Sequence, residues 1–351
     1  MTMTESEVTV LNVFMLEWHA YRVSTAFDNA LIRPLSRCFD INEYATDWDG
    51  NLTEGNFANI RGGSHIYCCI NPPLDFVGQS RCPVFWIPMW DFARIYSSSF
   101  WKSLPPNVHV LSYSRAVSER TRALGLKTLD VQYFCDPRSQ PPTNWDGERV
   151  AFYWNRKGLV SPRFLEHWCD ALRINTLLYK PQLDPFVPHR LAFDLPRKLG
   201  HTRVETVPHF ANQADYFRVI EPVNIYLAPR PYEGIGLAFL EAMARGCAVF
   251  AFDGPTMSEY IQSGKTGYLF GRRTHYSTRA LGFVRRPLTR VGFREPKPYF
   301  YVRDKQPWDE IAALDLPVLG RAAHDAHIEG YARWQASIPT MVDFIKNSIT
   351  F

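Results

Sequence analysis

The sequence predicts an α/β protein with two domains, each built on a parallel β-sheet that helices cover on both faces. Short apolar runs alternate with amphipathic segments throughout the chain, which is the pattern typical of such sheets. The length of 351 residues exceeds what a single hydrophobic core usually serves. The polar, proline-rich stretch 135–148 is typical of a linker, and the alternation starts again after it. We therefore expect domains over 1–140 and 141–325, followed by a terminal helix over 326–351.

The first domain should contain a six-stranded sheet, because six apolar runs of strand length precede the linker. These runs are 8–16, 39–44, 65–70, 83–88, 108–113 and 129–134. Two further segments, 21–37 and 116–124, have apolar residues at helical spacing. We expect both of them to be helices.

The second domain repeats this order of elements. Its predicted strands are 150–154, 176–179, 203–207, 223–228 and 248–252. A helix is expected over 162–173, and another begins near Gly236. The last amphipathic segment, 327–345, has the apolar spacing of a terminal helix.

The segment 228–269 holds the residues that are most informative about function. Glu233 and Glu241 lie eight residues apart, separated by a glycine-containing turn and the start of a helix. The N-terminus of that helix presents free backbone N–H groups and the positive end of its dipole, which suits an anion such as a diphosphate. Because carboxylates repel a phosphate, we expect the two glutamates to bind hydroxyl groups on either side of it, on a sugar and on a ribose.

The spacing of this segment resembles that of a known family. The order E-G-x-G-x-x-x-L-E-A-M-A-x-G, then an apolar strand, then E-x-I-x-x-G-x-x-G-Y-L, is similar to the donor half of retaining GT-B glycosyltransferases of the glycogen-synthase-like and mannosyltransferase-like group, the glycosyltransferase family 4 type. The resemblance implies two facing Rossmann-like domains with the active site in the cleft, and a terminal helix that crosses back to the first domain. A generic strand–helix unit of an α/β sheet is the alternative.

The resemblance also implies roles for individual residues. Glu233 would contact hydroxyls of the transferred sugar, as a catalytic residue, and Glu241 would contact the ribose of the nucleotide. The sugar and the phosphates of the donor would be bound by the backbone of the turn between them: Gly234, Ile235, Gly236 and Leu237.

A second candidate element follows the predicted strand 150–154. Arg156 and Lys157 come shortly after it, at the edge of the sheet where α/β proteins bind ligands. Two adjacent cations can neutralise a diphosphate leaving group, so we assign both a catalytic role. The family usually spaces these cations more widely, and a solvated pair in a loop is the alternative. Arg230 is a candidate third cation for donor binding.

The first domain departs from the family pattern. Family members commonly carry a Gly-Gly loop after the first strand, where this chain has Leu16-Glu17-Trp18-His19. His19 and Asp91 both follow predicted strands and are therefore the acceptor-side candidates. A structural role is the alternative for each of them.

Residues 272–305 form a basic stretch with interleaved aromatics that is atypical of the family. It contains ten Lys or Arg residues against two acids. Its expected role is contact with an anionic membrane surface or with a phosphate-bearing acceptor, and a solvated loop is the alternative. Because the basic charge is confined to this stretch and the net charge is only +4, we expect no nucleic-acid partner.

Cysteine usage and the first residues bear on location. The seven cysteines have neither a disulfide pattern nor metal-ligand spacing, and the polar opening MTMTESE lacks the features of a signal peptide. No apolar run reaches the ~18 residues of a membrane span. We expect a cytoplasmic protein, with peripheral contact to the inner face of the membrane through 272–305.

The chain contains one D-x-D sequence, Asp47-Trp48-Asp49, a motif of metal-dependent sugar transferases. It lies among polar residues rather than after an apolar strand, which favours an Asx-rich turn. No set of His, Cys, Asp and Glu has convincing spacing for a metal. The resembling family handles the diphosphate with side-chain cations and helix dipoles, so we expect neither a required metal nor another cofactor.

The favoured function is therefore that of a retaining glycosyltransferase. It would transfer a hexose from a nucleotide-sugar donor to a carbohydrate or lipid-linked acceptor, in polysaccharide or glycoconjugate biosynthesis. Two alternatives stay open: a GT-B epimerase or phosphorylase, and a catalytically silent GT-B protein that binds sugar nucleotides.

Overall fold

The computed structural model describes residues 9–349 apart from 22–23, 48, 56, 58–59, 61, 70, 140, 184–191, 209, 211, 272, 275–299 and 302–304. The described residues divide into two compact units. Unit 1 comprises those up to Ser139, together with Tyr232–Glu241 and those from Ala326 onward. Unit 2 comprises those of Gln140–Pro231 and Ala242–Asp325.

Unit 1 contains a parallel sheet of six strands, and each of the six runs predicted before the linker supplies one of them. The strands are β1 Val10–Leu16, β2 Asp40–Thr46, β3 Ser64–Cys68, β4 Val84–Ile87, β5 Val108–Ser112 and β6 Thr128–Asp130. Their order in the sheet is β2-β1-β3-β4-β5-β6. Because all of them run parallel, their carboxyl ends meet at one edge, where the loops that follow the strands collect.

Short helices connect these strands. They are α1 Glu17–Ala20, α2 Arg33–Leu35, α3 Leu74–Gln79, α4 Trp90–Ala93, α5 Ser98–Lys102 and α6 Arg115–Ala123. The predicted helix 116–124 is confirmed by α6. The predicted helix 21–37 is confirmed in part: residues 26–35 form one continuous helical stretch, in which a π-helical turn, Asp28–Ile32, precedes α2, whereas Tyr21 lies in a turn. Pro34 lacks an N–H, so the regular α-helical bond to the carbonyl of Ala30 cannot form where the π-helical turn passes into α2.

Aromatic side chains fill the core of unit 1. Phe14 on β1 stacks on Tyr67 of β3, with ring centroids 4.6 Å apart. Trp86 on β4 packs on Trp101 of α5 at 4.9 Å, and both indoles are 1% exposed. Burial of one such side chain contributes about 1.5–3 kcal/mol, so this core holds the carboxyl edge of the sheet in place.

Unit 2 has a seven-stranded sheet. Its strands are β7 Val150–Trp154, β8 Thr176–Lys180, β9 Lys198–Leu199, β10 Thr202–Thr206, β11 Ile225–Leu227, β12 Ala248–Phe252 and β13 Tyr268–Phe270. Their order is β13-β12-β11-β7-β8-β10-β9, and only β9 at the edge pairs antiparallel. The five strands predicted after the linker are all present. Two short strands, β14 Arg273–Thr274 and β15 Phe300–Tyr301, form a separate antiparallel pair.

Six helices complete the described residues. They are α7 Pro162–Ala171, α8 Gln213–Ile220, α9 Leu237–Arg245, α10 Met257–Tyr260, α11 Trp308–Ala312 and α12 Leu316–Ile349. α7 begins as expected, with Pro162 in its first turn and the Ser161 hydroxyl accepting a bond from the Phe164 N–H at 3.0 Å. α12 begins at Leu316 rather than at 327, because Leu316, Leu319 and Ala323 extend its buried face. Within the described residues, no helix is both long and apolar enough to cross a membrane.

Candidate functional site

The turn between β11 and α9 requires glycine at two positions. Gly236 has φ +78°, and a Cβ there would collide with the ring of Phe239. A Cβ on Gly234 would lie 2.8 Å from the sulfur of Met89. The backbone of the turn that leads into α9 therefore has a conformation in which residues with a Cβ would be strained. The N-terminus of α9 carries the positive end of the helix dipole, which attracts an anion.

Glu233 and Glu241 stand on either side of this helix start. Glu233 is half-buried in the turn. Glu241 lies within α9, ~6 Å along the axis from Leu237 at ~1.5 Å per residue, and only 6% of it is exposed. A carboxylate this deeply buried must be hydrogen-bonded to be stable. The turn thus holds a half-buried glutamate and α9 a buried one, with the N-terminus of the helix between them.

The surroundings of Glu241 come from residues distant in sequence. Burial, and after it the charge of Glu241, raises the pKa of the Cys135 thiol. The Nε2 atom of His327, on α12, lies 2.8 Å from the carbonyl oxygen of Cys135 and 3.5 Å from its Sγ. Cys135, Glu241 and His327 all belong to unit 1. The charge of Glu241 therefore acts on a buried thiol, which His327 contacts, and the sequence did not indicate either residue.

Unit 1 also brings Asp91 near the Glu233 turn. Met89 lies against Gly234, and the guanidinium carbon of Arg94 lies 4.2 Å from the ring centroid of Tyr232. Asp91 is on α4, between these two contacts, and is half-buried. The predicted acceptor-side carboxylate and the predicted catalytic glutamate thus lie on segments that touch.

His19 occupies the predicted strand-end position, on α1 directly after β1. Its ring packs edge-on against Phe27, with centroids 4.8 Å apart. Burial lowers the pKa of His19 to about 4. The imidazole is therefore neutral near pH 7 and a weak base, which favours packing over proton transfer as its role.

The loop after β7 places the two predicted cations. Asn155 is fully buried, and its Oδ1 accepts a bond from the Gly158 N–H at 3.0 Å. The main chain turns sharply here, since Gly158 has φ +61°. Arg156 and Lys157 lie within this turn, and both are half-buried. The guanidinium carbon of Arg156 lies 4.6 Å from the ring centroid of Trp154.

Sequence analysis missed a third cation at this edge, Lys180. It ends β8, opposite Trp154 at the end of β7, and is 1% exposed. Its ammonium lies 4.8 Å from the ring centroid of Trp154 and donates a bond to the Pro208 carbonyl at 3.1 Å. Burial, and then the charge of Arg156, lowers the pKa of Lys180. Its position after an apolar strand was the available signal, the same one that led to His19 and Asp91.

The remaining predicted residues fall as follows. Ile235 is buried, whereas Leu237 and Arg230 are half-buried. Arg230, like Arg156 and Lys157, belongs to unit 2, and the turn from Glu233 to Glu241 is grouped with unit 1. The structure therefore assembles the glutamates and the turn as one group, and the cations of the β7 loop as another.

The D-x-D sequence forms the expected turn. Asp47 Oδ1 accepts bonds from the N–H groups of Asp49 and Asn51, each at 2.9 Å. The Asn51 amide donates to its other oxygen at 3.0 Å, and this side-chain bond is the main reason that the pKa of Asp47 is lowered. In the part of the chain that the structure describes, no group of three or more His, Cys, Asp and Glu side chains is arranged to hold a metal ion.

The basic stretch 272–305 lies mostly outside the described residues. The structure describes the backbone of β14 and β15 at its ends, and Lys305. The surface predicted for it therefore stays a prediction.

Comparison with known proteins adds three observations. Residues 198–278, which include the turn and both glutamates, match the family model described as glycosyl transferases group 1. No curated protein matches the chain significantly. Solved structures that resemble it include sucrose-phosphate synthase from Thermosynechococcus elongatus, with 12% identity, a TM-score of 0.60 and coverage of 97% of this chain and 98% of that one.

Two further structures have similar folds. HepE from Anabaena, solved in complex with UDP and glucose, has 12% identity and a TM-score of 0.54, and the match covers 97% of this chain and 99% of HepE. TarM has 14% identity and a TM-score of 0.51, over 81% of this chain. The match spans only about half of TarM, 54% of its length. These likenesses confirm the predicted fold class, a mixed α/β chain with parallel sheets that matches GT-B glycosyltransferases.

Proposed function

We propose that this chain is a retaining glycosyltransferase that moves a sugar from a nucleotide-sugar donor to a carbohydrate or glycolipid acceptor. The observation that carries the proposal is the pair of glutamates on either side of the α9 N-terminus, within the segment that matches the group 1 model. A helix N-terminus attracts the diphosphate of such a donor, and the carboxylates accept hydrogen bonds from hydroxyls at its two ends.

Glu241 is the proposed ligand of the ribose. The residue is 6% exposed, so hydroxyl groups that bind its carboxylate would make charge-assisted bonds in a low-dielectric setting. Glu233, which is more accessible in the turn, would accept bonds from hydroxyls of the transferred sugar. Both roles require the carboxylates to be ionised.

The cations have a separate proposed role. Arg156 and Lys157 would bind the diphosphate, and Arg230 would add a third charge on the donor side. Charge then builds up on the leaving phosphate as the bond to the sugar breaks, and fixed cations stabilise it. With these groups and the helix dipole, the proposal requires no resident metal.

Retention of the anomeric configuration is part of the proposal. The acceptor oxygen would attack the anomeric carbon from the face that the diphosphate leaves. The bond from that carbon to the phosphate oxygen breaks, the bond to the acceptor oxygen forms, and the acceptor proton passes to the departing phosphate. No protein nucleophile is needed, and the weak basicity of His19 is consistent with this route.

The place of action belongs to the same proposal. We expect a cytoplasmic enzyme of polysaccharide or glycoconjugate biosynthesis that meets the inner membrane face through residues 272–305. The acceptor would then be a lipid-linked or polymeric carbohydrate. UDP is the first nucleotide to test, because HepE was solved with it.

The test is an assay of nucleoside diphosphate release. The protein is incubated with UDP-, GDP- and ADP-sugars and an extract of carbohydrate and lipid-linked acceptors, with Glu233→Gln as the control. We expect release with one donor class, dependent on acceptor and abolished in the variant. Absence of release with every donor, despite measurable nucleotide binding, would favour the catalytically silent alternative.

A further inference from the structure

We propose that Lys180 binds the diphosphate of the donor together with Arg156, and that Trp154 is the positioning residue that holds these two cations as one site. The inference rests on the proposed function, because its ligand is a nucleoside diphosphate. It adds to that function a phosphate-binding lysine from a different strand and the indole that supports it.

The geometry starts from the end of two neighbouring strands. Trp154 ends β7 and Lys180 ends β8, and the two residues are partners in the parallel ladder. The indole N–H of Trp154 donates a bond to the carbonyl of Gln182 at 2.7 Å, which fixes the plane of the ring. The ring centroid lies 4.6 Å from the guanidinium carbon of Arg156 and 4.8 Å from the Lys180 ammonium. Both cations therefore make cation–π contacts with the same aromatic ring, and they lie within 10 Å of each other.

Lys180 is enclosed rather than solvated. It is 1% exposed, and its ammonium also lies 4.1 Å from the ring centroid of Phe210. The described hydrogen bond of the ammonium is the one to the Pro208 carbonyl at 3.1 Å, which leaves donor capacity on the –NH₃⁺ group. Two aromatic faces and a carbonyl stabilise the cation but do not neutralise its charge.

The positive charge of Arg156 acts on the positive charge of Lys180. Among the described residues, the charged group that acts on Lys180 is the Arg156 guanidinium, which has the same sign and lowers the pKa of the lysine. A buried ammonium and a half-buried guanidinium held on the same ring repel each other, and an anion that contacts both reduces this repulsion. The site lies at the carboxyl edge of a parallel sheet, where α/β proteins bind ligands. A diphosphate carries negative charge on the oxygens of both phosphate groups, so it can contact both cations at once.

The experiment measures binding by calorimetry of UDP, GDP and ADP, of the matching nucleosides, and of inorganic diphosphate. The variants are Lys180→Met, Trp154→Leu and Trp154→Phe. Lys180→Met keeps the length of the side chain and removes the charge, whereas Trp154→Phe keeps an aromatic face for the cations. Lys198→Met, an exposed lysine on the same sheet, is the matched control. Thermal unfolding of each variant confirms that it is folded.

We expect Lys180→Met and Trp154→Leu each to lower the affinity for the nucleoside diphosphate at least tenfold. The affinity for the nucleoside should change less than twofold. Trp154→Phe should recover most of the loss caused by Trp154→Leu. The salt dependence of diphosphate binding should become shallower in Lys180→Met, because one charge no longer contributes. Lys198→Met should bind as the unchanged protein does. The affinity for inorganic diphosphate should change in the same direction as that for the nucleoside diphosphate. This result would show that the effect comes from the phosphates and not from the base.

Two results would overturn the inference. Wild-type affinity in Lys180→Met would remove the lysine from the site. Equal losses for nucleoside and nucleoside diphosphate would mean that Trp154 and Lys180 have only a structural role. In both cases the proposed function stands as long as the unchanged protein binds one of the diphosphates. If it binds none of them, the proposed function fails and this inference fails with it.

Discussion

The ribose contact of Glu241 can be tested quantitatively. Glu241 is 6% exposed, and Glu241→Ala removes the carboxylate that the proposal places against the ribose hydroxyls. Each charge-assisted hydrogen bond contributes about 1.5–3 kcal/mol, and 1.4 kcal/mol corresponds to about a factor of ten in affinity. We therefore expect the donor and the nucleoside diphosphate each to bind at least tenfold more weakly, measured by calorimetry.

A comparison of nucleoside diphosphates with and without the ribose hydroxyls tests the Glu241 contact more directly. A 2′,3′-dideoxy nucleoside diphosphate lacks the hydroxyls that Glu241 would bind. It should bind weakly to the unchanged protein, and Glu241→Ala should alter its affinity little, because the interaction is already absent. This forms a thermodynamic cycle between one side chain and one pair of hydroxyls.

Two controls guard the interpretation. Glu241 is buried, so its removal can also destabilise the fold, and Glu241→Gln together with thermal unfolding reports this. Glu221→Ala changes an exposed glutamate that follows α8 and should leave binding unchanged. If a folded Glu241→Ala variant binds the diphosphate with unchanged affinity, or if the ribose and dideoxy ligands lose affinity equally, the assignment is refuted.

Four further predictions address the rest of the molecule. Glu233→Gln should reduce turnover far more than it reduces affinity for the nucleoside diphosphate; equal losses in both quantities would mean that the roles of the two glutamates are wrongly divided. Proton NMR of the product should show the anomeric configuration of the donor, and an inverted product would exclude the retaining mechanism. Binding to vesicles with acidic lipid should exceed binding to neutral vesicles and weaken with salt, since charges are screened over ~8–10 Å; it should disappear, with turnover of a soluble acceptor intact, on changing four arginines to glutamine: Arg272, Arg273, Arg285 and Arg286. Loss of turnover without any vesicle binding would instead identify an acceptor-binding loop. Burial lowers the pKa of three histidines to about 4, namely His19, His65 and His109; the unfolded chain therefore takes up these protons first as the pH falls below about 6.5, and the free energy of unfolding should decrease between about pH 6.5 and 4 by at most about 1.4 kcal/mol per pH unit for each. Denaturant titrations at pH 7, 6 and 5 check this, with His65→Phe as the variant that should flatten the slope; an unchanged slope would contradict it.

Much of the fold was predictable because its signals are local. A buried parallel strand must be apolar on both faces, so the runs that became β7 and β12 are recognisable without knowing their neighbours. The helix predicted over 21–37 is shorter, over 26–35, and includes a π-helical turn next to Pro34, which apolar spacing does not reveal. The sequence predicts a glycine-containing turn before α9, whereas the reason for glycine at Gly236, its φ angle and the nearby ring of Phe239, is visible only in the structure.

Some features of the candidate site were likewise predictable from local sequence, and others were not. The sequence by itself determined the strand–turn–helix unit, the spacing of Glu233 and Glu241 across it, and the cations that follow β7, because each depends on residues close together in the chain. Only the tertiary structure exposed the Cys135 thiol to the charge of Glu241, placed His327 against Cys135, and joined Lys180 to Arg156 through Trp154. These contacts bring together residues from different elements, and their energies depend on distances that no local pattern records. Burial and charge interactions depend on distances in space, whereas sequence periodicity reports only on residues that are close along the chain.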